Sequence, residues 1–351
     1  MYGFKFLIVG FGEVYLWKQS RNQPVRLPGT ERRFQSARSQ APVKFIQDAD
    51  VGLEWLMPDT QEHQQEVRGF LQKHLSIDDW RFSLPHGSGM ESYFAQGNGQ
   101  SYFVKVGVQT ERYLAIAGIG LTPPVLLFGQ LDSGLSVIVQ PFIAGRRPSR
   151  LDYRNQLIEV AGLIRKMHDH PQINEVLQAV STNLYKDAGL LALNHLRQKW
   201  EQYKTQVPMV VEFVDSGLAF LTQQVELFSG EGLVASHGDI CNANWLFASD
   251  RKIYLLDFES MSMDDPAVDI GALLWWYYPP ELRQRFLDVA GYRYDDEFKF
   301  RMRVRMAMHC LNITLPRERS FDRFEPSIYD KSLRDFRAIL NGEENPEGYT
   351  V

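Results

Sequence analysis

The stretch SHGDICNANWLFASDRKIYLLDFES, from Ser236 to Ser260, constrains this chain more than any other. It sets Asp239, Asn244 and Asp257 within a span of about nineteen residues, and the short runs between them are apolar. The pattern reads as strand, loop and strand. Carboxylates at such a junction need a reason, because burying an unpaired charge is costly. Either the fold brings something that completes two acids and an amide, or the acids cap turns and Asn244 closes an Asx-turn.

The rest of the chain reads as a small β-rich part followed by a long helical one. WRFSLPHGSGMESYFAQGNGQSYFVKVG predicts a hairpin that turns at Gly97 to Gly99. QTERYLAIAGIG predicts a short helix, and LTPPVLLFGQLDSGLSVIVQPFIAG two further strands. Before them, DTQEHQQEVRGFLQKHL places Val67, Phe70, Leu71 and Leu75 on one helical face, with Asp59 as N-cap and Glu62 three residues on. After Gly145 the helices lengthen; Leu157, Val160, Ala161, Ile164 and Met167 form one stripe that ends before Pro171.

With 351 residues and 44% hydrophobic content, the chain can hold one large domain or two lobes with separate cores. A net charge of −5 argues against a nucleic-acid partner, which would want a concentrated basic face. Cys241 and Cys310 make neither a metal-ligand spacing nor a disulfide framework, which points to a reducing compartment. No apolar run reaches the ~18–20 residues that span a bilayer. FKFLIVGFGEVYLW is short, is interrupted by Glu13 and lacks a small-residue cleavage site. A cytoplasmic, soluble protein with no membrane partner is the expectation.

Residues 1 to about 56 stand apart. FLIVGFGEVYLW suggests a strand or two, and the Pro-, Arg- and Ser-containing run after it has no apolar period. Gly10 and Gly12 invite a dinucleotide-binding reading, but Tyr15 holds the third fingerprint position, and Pro24 and Pro28 spoil the helix that should follow. This segment is expected to be a poorly ordered extension with no part in a site.

Three motifs together carry a family resemblance. HGDICNAN resembles the catalytic loop of the aminoglycoside phosphotransferase and choline kinase superfamily, LLDFES its second metal motif, and DDPAVDIGALLW its Asp-Pro-x-x-Asp helix start. The likeness covers roughly Asp59 to Leu315. It implies an α+β fold, two-lobed and protein-kinase-like, with a small antiparallel N-lobe at 57–143 and a mainly helical C-lobe at 144–351 that carries catalysis and acceptor binding. It implies an ATP- and Mg2+-dependent phosphotransferase acting on a small-molecule hydroxyl. A protein or lipid-sugar kinase of this fold, and a catalytically silent nucleotide-binding module, are the rivals.

The chemistry fits those roles independently. Phosphoryl transfer needs an oriented hydroxyl and metal-neutralised phosphates. Asp239 can accept the hydroxyl's proton, while Asn244 and Asp257 offer a neutral and a charged oxygen to Mg2+. His237 is expected to order the loop. Asn242 and Ala243 stand where Pro-Gly is common in the family, so the loop's conformation is open.

On the N-terminal side, Gly87, Gly89 and Ser92 of HGSGMES would let backbone N–H groups approach phosphate, or form an ordinary hairpin turn. Lys105 is either a solvated edge-strand residue or, under the resemblance, the ligand of the α- and β-phosphates. A glutamate on the next helix should then pair with it, and Glu111 is the one carboxylate between Lys105 and Asp132. In IVQPFIAG, the Pro141 carbonyl and the Ile143 N–H have the spacing to meet adenine's edge, unless the segment is a plain linker strand. Asp269 either caps its helix or bonds the catalytic-loop backbone. Glu259, Asp264 and neighbouring acids, with Trp276 in the run Trp275 to Tyr278, suggest a wall for a cationic acceptor such as an amino-alcohol or aminoglycoside, or else a solvated surface and core.

Overall fold

The computed structural model describes residues 60–85, 91–177, 182–315, 329 and 333–349, together with strands β1 (Leu7–Gly10) and β2 (Glu13–Leu16). β1 and β2 pair antiparallel, with Gly10 opposite Glu13. A strand therefore follows the first strand, where a dinucleotide fingerprint would need a helix. The rest of residues 1–56 lies outside the described residues, as do Asp59 and the loop positions Gly87 and Gly89.

A five-stranded antiparallel sheet follows. Its strands are β3 (Arg81–Ser83), β4 (Ser92–Gly97), β5 (Gln100–Val106), β6 (Leu127–Gln130) and β7 (Ser136–Pro141), in the order β3-β4-β5-β7-β6. The β4–β5 hairpin turns on Asn98 and Gly99, both at positive φ. Asparagine and glycine tolerate that left-handed backbone, whose twist matches the flanking strands. Tyr93, Ala95, Val104, Val106, Val137 and Val139 bury one face. Helix α1 (Thr60–Leu75) covers that face with Val67, Phe70 and Leu71, and Leu75 packs at its edge.

Ile138 points to the opposite face, as strand alternation requires. There it joins Tyr113 and Ile116 of helix α2 (Thr110–Gly118) in a second, larger core. That core is built mainly by α3 (Arg150–Asn155), α4 (Leu157–His168), α5 (Pro171–Val176), α6 (Tyr185–Tyr203), α7 (Val211–Glu226), α8 (Ala267–Trp276), α9 (Pro280–Ala290) and α10 (Asp296–Thr314). The α4 stripe Leu157, Val160, Ala161, Ile164 and Met167 is buried as its period predicts. A further helix, Arg334–Leu340, packs on α10.

Small sheets embed the Ser236–Ser260 stretch in this helical part. β9 (Val234–Ser236) pairs with β12 (Ser262–Asp264). β8 (Gly145–Arg146), β10 (Trp245–Ala248) and β11 (Ile253–Leu255) form a sheet in the order β11-β10-β8. The architecture is two-lobed α+β: an antiparallel sheet first, a mainly helical part after it. No helix among the described residues is long and apolar enough to cross a membrane.

Candidate active site

β9 delivers the chain into His237, Gly238 and Asp239. One buried acid fixes this turn. Asp269 lies in the first turn of α8 with no exposed surface. Its carboxylate accepts the His237 N–H at 2.8 Å and the Gly238 N–H at 3.0 Å, and His168 Nε2 lies 3.1 Å away. Burial alone would raise its pKa; the hydrogen bond and charge of His168, with the His237 contacts, outweigh that and hold it below the ordinary carboxylate range. Of the two readings left open for Asp269, the structure makes the bond to the loop backbone, and α8 has no side-chain cap. Gly238 has φ 75°, and a Cβ there would sit 2.7 Å from the Ser260 carbonyl oxygen. Only glycine fits both conditions.

His237 is spent on the same loop. Its Nδ1 faces the Asp239 N–H at 3.3 Å, and its Nε2 lies 2.9 Å from the Leu256 carbonyl. The carbonyl can only accept, so the Nε2 position carries a proton. Asn244 closes the loop: its Nδ2 donates to the Asp239 carbonyl at 2.7 Å, and its own carbonyl accepts the Leu256 N–H at 2.9 Å. Asn244 thus lies beside the residue preceding Asp257. The departure at Asn242 has a use. Its N–H, which a proline would lack, donates to the Tyr277 hydroxyl at 2.8 Å.

Asp257 follows β11 in the left-handed conformation, at φ 67° and ψ 65°. That is uncommon for a residue with a side chain and occurs where surrounding contacts hold it. Opposite stands Lys105 of β5, only 5% exposed. Its Nζ lies 2.7 Å from the Tyr113 hydroxyl and 3.1 Å from Asp257 Oδ1, and it also pairs with Glu259 Oε1. Burial disfavours the ammonium, but Tyr113, Glu259 and Asp257 reverse the sign and leave its pKa raised. Burial likewise works against the Asp257 charge, yet the contact with Glu259 and the charge of Lys105 hold it well below the usual range. Glu259 moves the other way, pushed up by burial and by Asp257.

Several expected placements are corrected. Lys105 is no solvated edge residue. Its partner is not Glu111, which is exposed in the first turn of α2. Two residues on, about 200° around the helix, Tyr113 faces inward. The buried i, i+3 pair Tyr113 and Ile116 was the available signal, and elimination among carboxylates passed over it. Glu259, expected in an acceptor wall, is bound through Oε1 to Lys105. Asp264 pairs with Arg305 Nη2, and Asp265 with Arg301 Nε at 2.9 Å, so arginines of α10 absorb this acidic cluster. Trp276 is core: it is buried, packs on His309 at 5.4 Å between ring centres and has Nε1 3.5 Å from Asp335.

Two further candidates sit on the sheet. Ser92 opens β4 directly opposite Lys105 and is buried. Pro141 ends β7, and the Phe142 N–H donates to Ser101 of β5 at 3.0 Å. By strand alternation the Pro141 carbonyl and Ile143 N–H point to the other edge. There β6 has already ended, its last link to β7 being the Leu126 N–H to the Val139 carbonyl at 2.8 Å.

β5 and the Ser236–Ser260 stretch therefore bring Lys105, Asp257 and Glu259 together, with Asn244 and Asp239 on the adjoining loop. Glu259 Oε2 is buried there with no hydrogen-bond partner. Among the described residues no group of three or more His, Cys, Asp and Glu is set to hold a metal. An ionised carboxylate, an amide and an orphaned carboxylate oxygen nevertheless suit a hard divalent cation that keeps water and phosphate ligands.

A family model described as the phosphotransferase enzyme family matches residues 85–305, more than half of the chain. The chain belongs to that family. Its fold is shared by a choline/ethanolamine kinase family protein from Mesorhizobium loti, 18% identical, over 81% of this chain and 96% of that one, with a TM-score of 0.57. It is shared by aminoglycoside 2'-phosphotransferase-IIIa, solved with GDP, at 14% identity over 81% and 99% and a TM-score of 0.58. Choline kinase LicA from Streptococcus pneumoniae is similar at 15% identity over 80% and 98%, with a TM-score of 0.54. The fold is thus protein-kinase-like, and the family is one of phosphotransferases.

Proposed function

We propose that the chain uses ATP and Mg2+ to phosphorylate a hydroxyl of a small molecule. One observation carries this reading: the loop that Asp269 holds carries Asp239 and sets Asn244 beside the strand end at Asp257, which a buried lysine contacts. Asp239 takes the proton from the acceptor hydroxyl. Asn244 and Asp257 would hold the metal, and Lys105 the phosphates, with Ser92 nearby. The Pro141 carbonyl and Ile143 N–H meet the adenine edge. Bound nucleotide and Mg2+ supply the phosphoryl group and neutralise its developing charge. On this reading 57–143 serves the nucleotide and 144–351 the acceptor.

A silent binding module would be expected to have lost the base or a metal ligand. A protein kinase would need a long activation segment, but α8 begins at Ala267, soon after Asp257. The acids first considered for a cationic acceptor are engaged by Lys105 and α10, so the proposal leaves the acceptor's charge open. Mg2+-dependent ATP turnover against amino-alcohols, aminoglycosides and sugars tests the reading. Calorimetry with nucleotide should show binding that strengthens with Mg2+, and Asp257→Ala should weaken the Mg2+-dependent part by about tenfold or more. A wild-type chain that binds no nucleotide with Mg2+ present would end the proposal.

A further inference from the structure

We infer that Tyr113 and Glu259 act together as the positioning residues of Lys105, with the countercharge coming from the turn after Asp257 and not from helix α2. The inference rests on the phosphotransferase reading and adds to it which residues aim the phosphate-binding lysine.

The geometry is closed on itself. The Tyr113 hydroxyl lies 2.7 Å from Lys105 Nζ and donates to Glu259 Oε1 at 2.9 Å. Glu259 Oε1 is also the atom paired with Lys105. Phenol, ammonium and carboxylate thus form a triangle in which every side is a polar contact. The phenol accepts from the lysine and donates to the acid, so a neutral side chain relays between two charged ones. Two corners are buried, Lys105 and Tyr113, while Glu259 keeps some exposed surface, and the Tyr113 ring packs edge-on against Phe258 at 6.1 Å. The preceding residue ties the same two segments through the backbone, Arg112 Nη1 donating to the Phe258 carbonyl at 3.0 Å. Helix α2 is therefore clamped to the metal turn by consecutive residues.

This arrangement has a consequence for the cleft. Asp257 also touches Lys105, at 3.1 Å. Tyr113 and Glu259 can keep the ammonium in place when Asp257 turns to other ligands. A lysine held by Asp257 alone would lose its anchor at that moment.

The test reads the nucleotide-free chain first. An amine-reactive ester labels lysines that can swing out to meet it, and peptide mass spectrometry gives the rate at Lys105 relative to the exposed Lys252. Wild-type Lys105 should react slowly. Tyr113→Phe and Glu259→Gln should each raise the relative rate by about tenfold, the scale of losing a hydrogen bond to a charged group. Glu111→Gln should leave it unchanged. Tyr113→Phe removes one oxygen and keeps the packed ring, so it stays informative if Glu259→Gln melts early. Calorimetry with Mg·ADP should show affinity falling by about three- to tenfold in Tyr113→Phe, and steady-state kinetics a rise in KM for ATP larger than the drop in kcat. Lys105 rates equal to wild type in both variants, or a rise in Glu111→Gln, would overturn the inference. A wild-type chain that binds no nucleotide would overturn the phosphotransferase reading, while the labelling pattern would still decide which side chains hold Lys105.

Discussion

The His237–Asn244 loop and the Lys105 site meet at Leu256 and Asp257, yet they are built differently. The loop is made by short-range contacts, Asn244 to Asp239 and His237 to Asp239, with one distant acid beneath. The lysine site is assembled from three separate segments, β5, α2 and the turn after β11. Motif spacing therefore carries the loop intact from sequence to structure. It cannot say which side chain of a neighbouring helix turns inward toward a lysine, because helix rotation and strand pairing decide that.

The largest effect should come from the loop's acid. Asp239→Asn keeps the shape and removes proton acceptance, so turnover should fall by roughly two to four orders of magnitude while nucleotide still binds. Near-normal turnover would move Asp239 out of the chemistry and leave the loop a scaffold. The next effect should come from beneath it. Asp269→Ala strands two N–H groups and His168 in a fully buried pocket, at a cost of about 3–5 kcal/mol. Because its folded pKa is depressed, the stability Asp269 confers is present above the ordinary carboxylate range and is lost only as pH falls through the lower folded value. Chemical denaturation at neutral pH measures it. A loss under 1 kcal/mol, about the worth of one ordinary hydrogen bond, would show that the loop holds itself.

How much was legible follows the same division. HGDICNAN and LLDFES pointed to the cleft, and the stripe on α4 and the Asn98–Gly99 turn were readable because periodicity and turn chemistry are local. Glu111 was misread because counting carboxylates ignores which side of α2 they occupy. Asp264 and Asp265 stayed open between an acceptor wall and a solvated surface because their partners, Arg305 and Arg301, lie some forty residues on in α10. Uncompensated in sequence, they are neutralised in space. The bond from Asn242 to Tyr277 escaped for the same reason.

The smallest expected effect separates those acids from the cleft. Asp264 ends β12 and pairs with Arg305. Burial pushes its pKa up, and Arg305 only partly opposes this, so its charge is worth less here than a charge count implies. An asparagine at this position still accepts from Arg305. Asp264→Asn should therefore cost only about 1 kcal/mol, read as a modest fall in melting temperature. It should leave the acceptor KM and its salt dependence as in wild type. An acid that draws a cation from solution would behave in the opposite way: its removal would spare stability, raise KM for a cationic acceptor and flatten the salt dependence, since screening acts on exposed charges. Measuring KM at low and high salt in both proteins distinguishes the two. The second outcome would return Asp264 to the acceptor's surroundings and make the acidic cluster a feature that sets specificity.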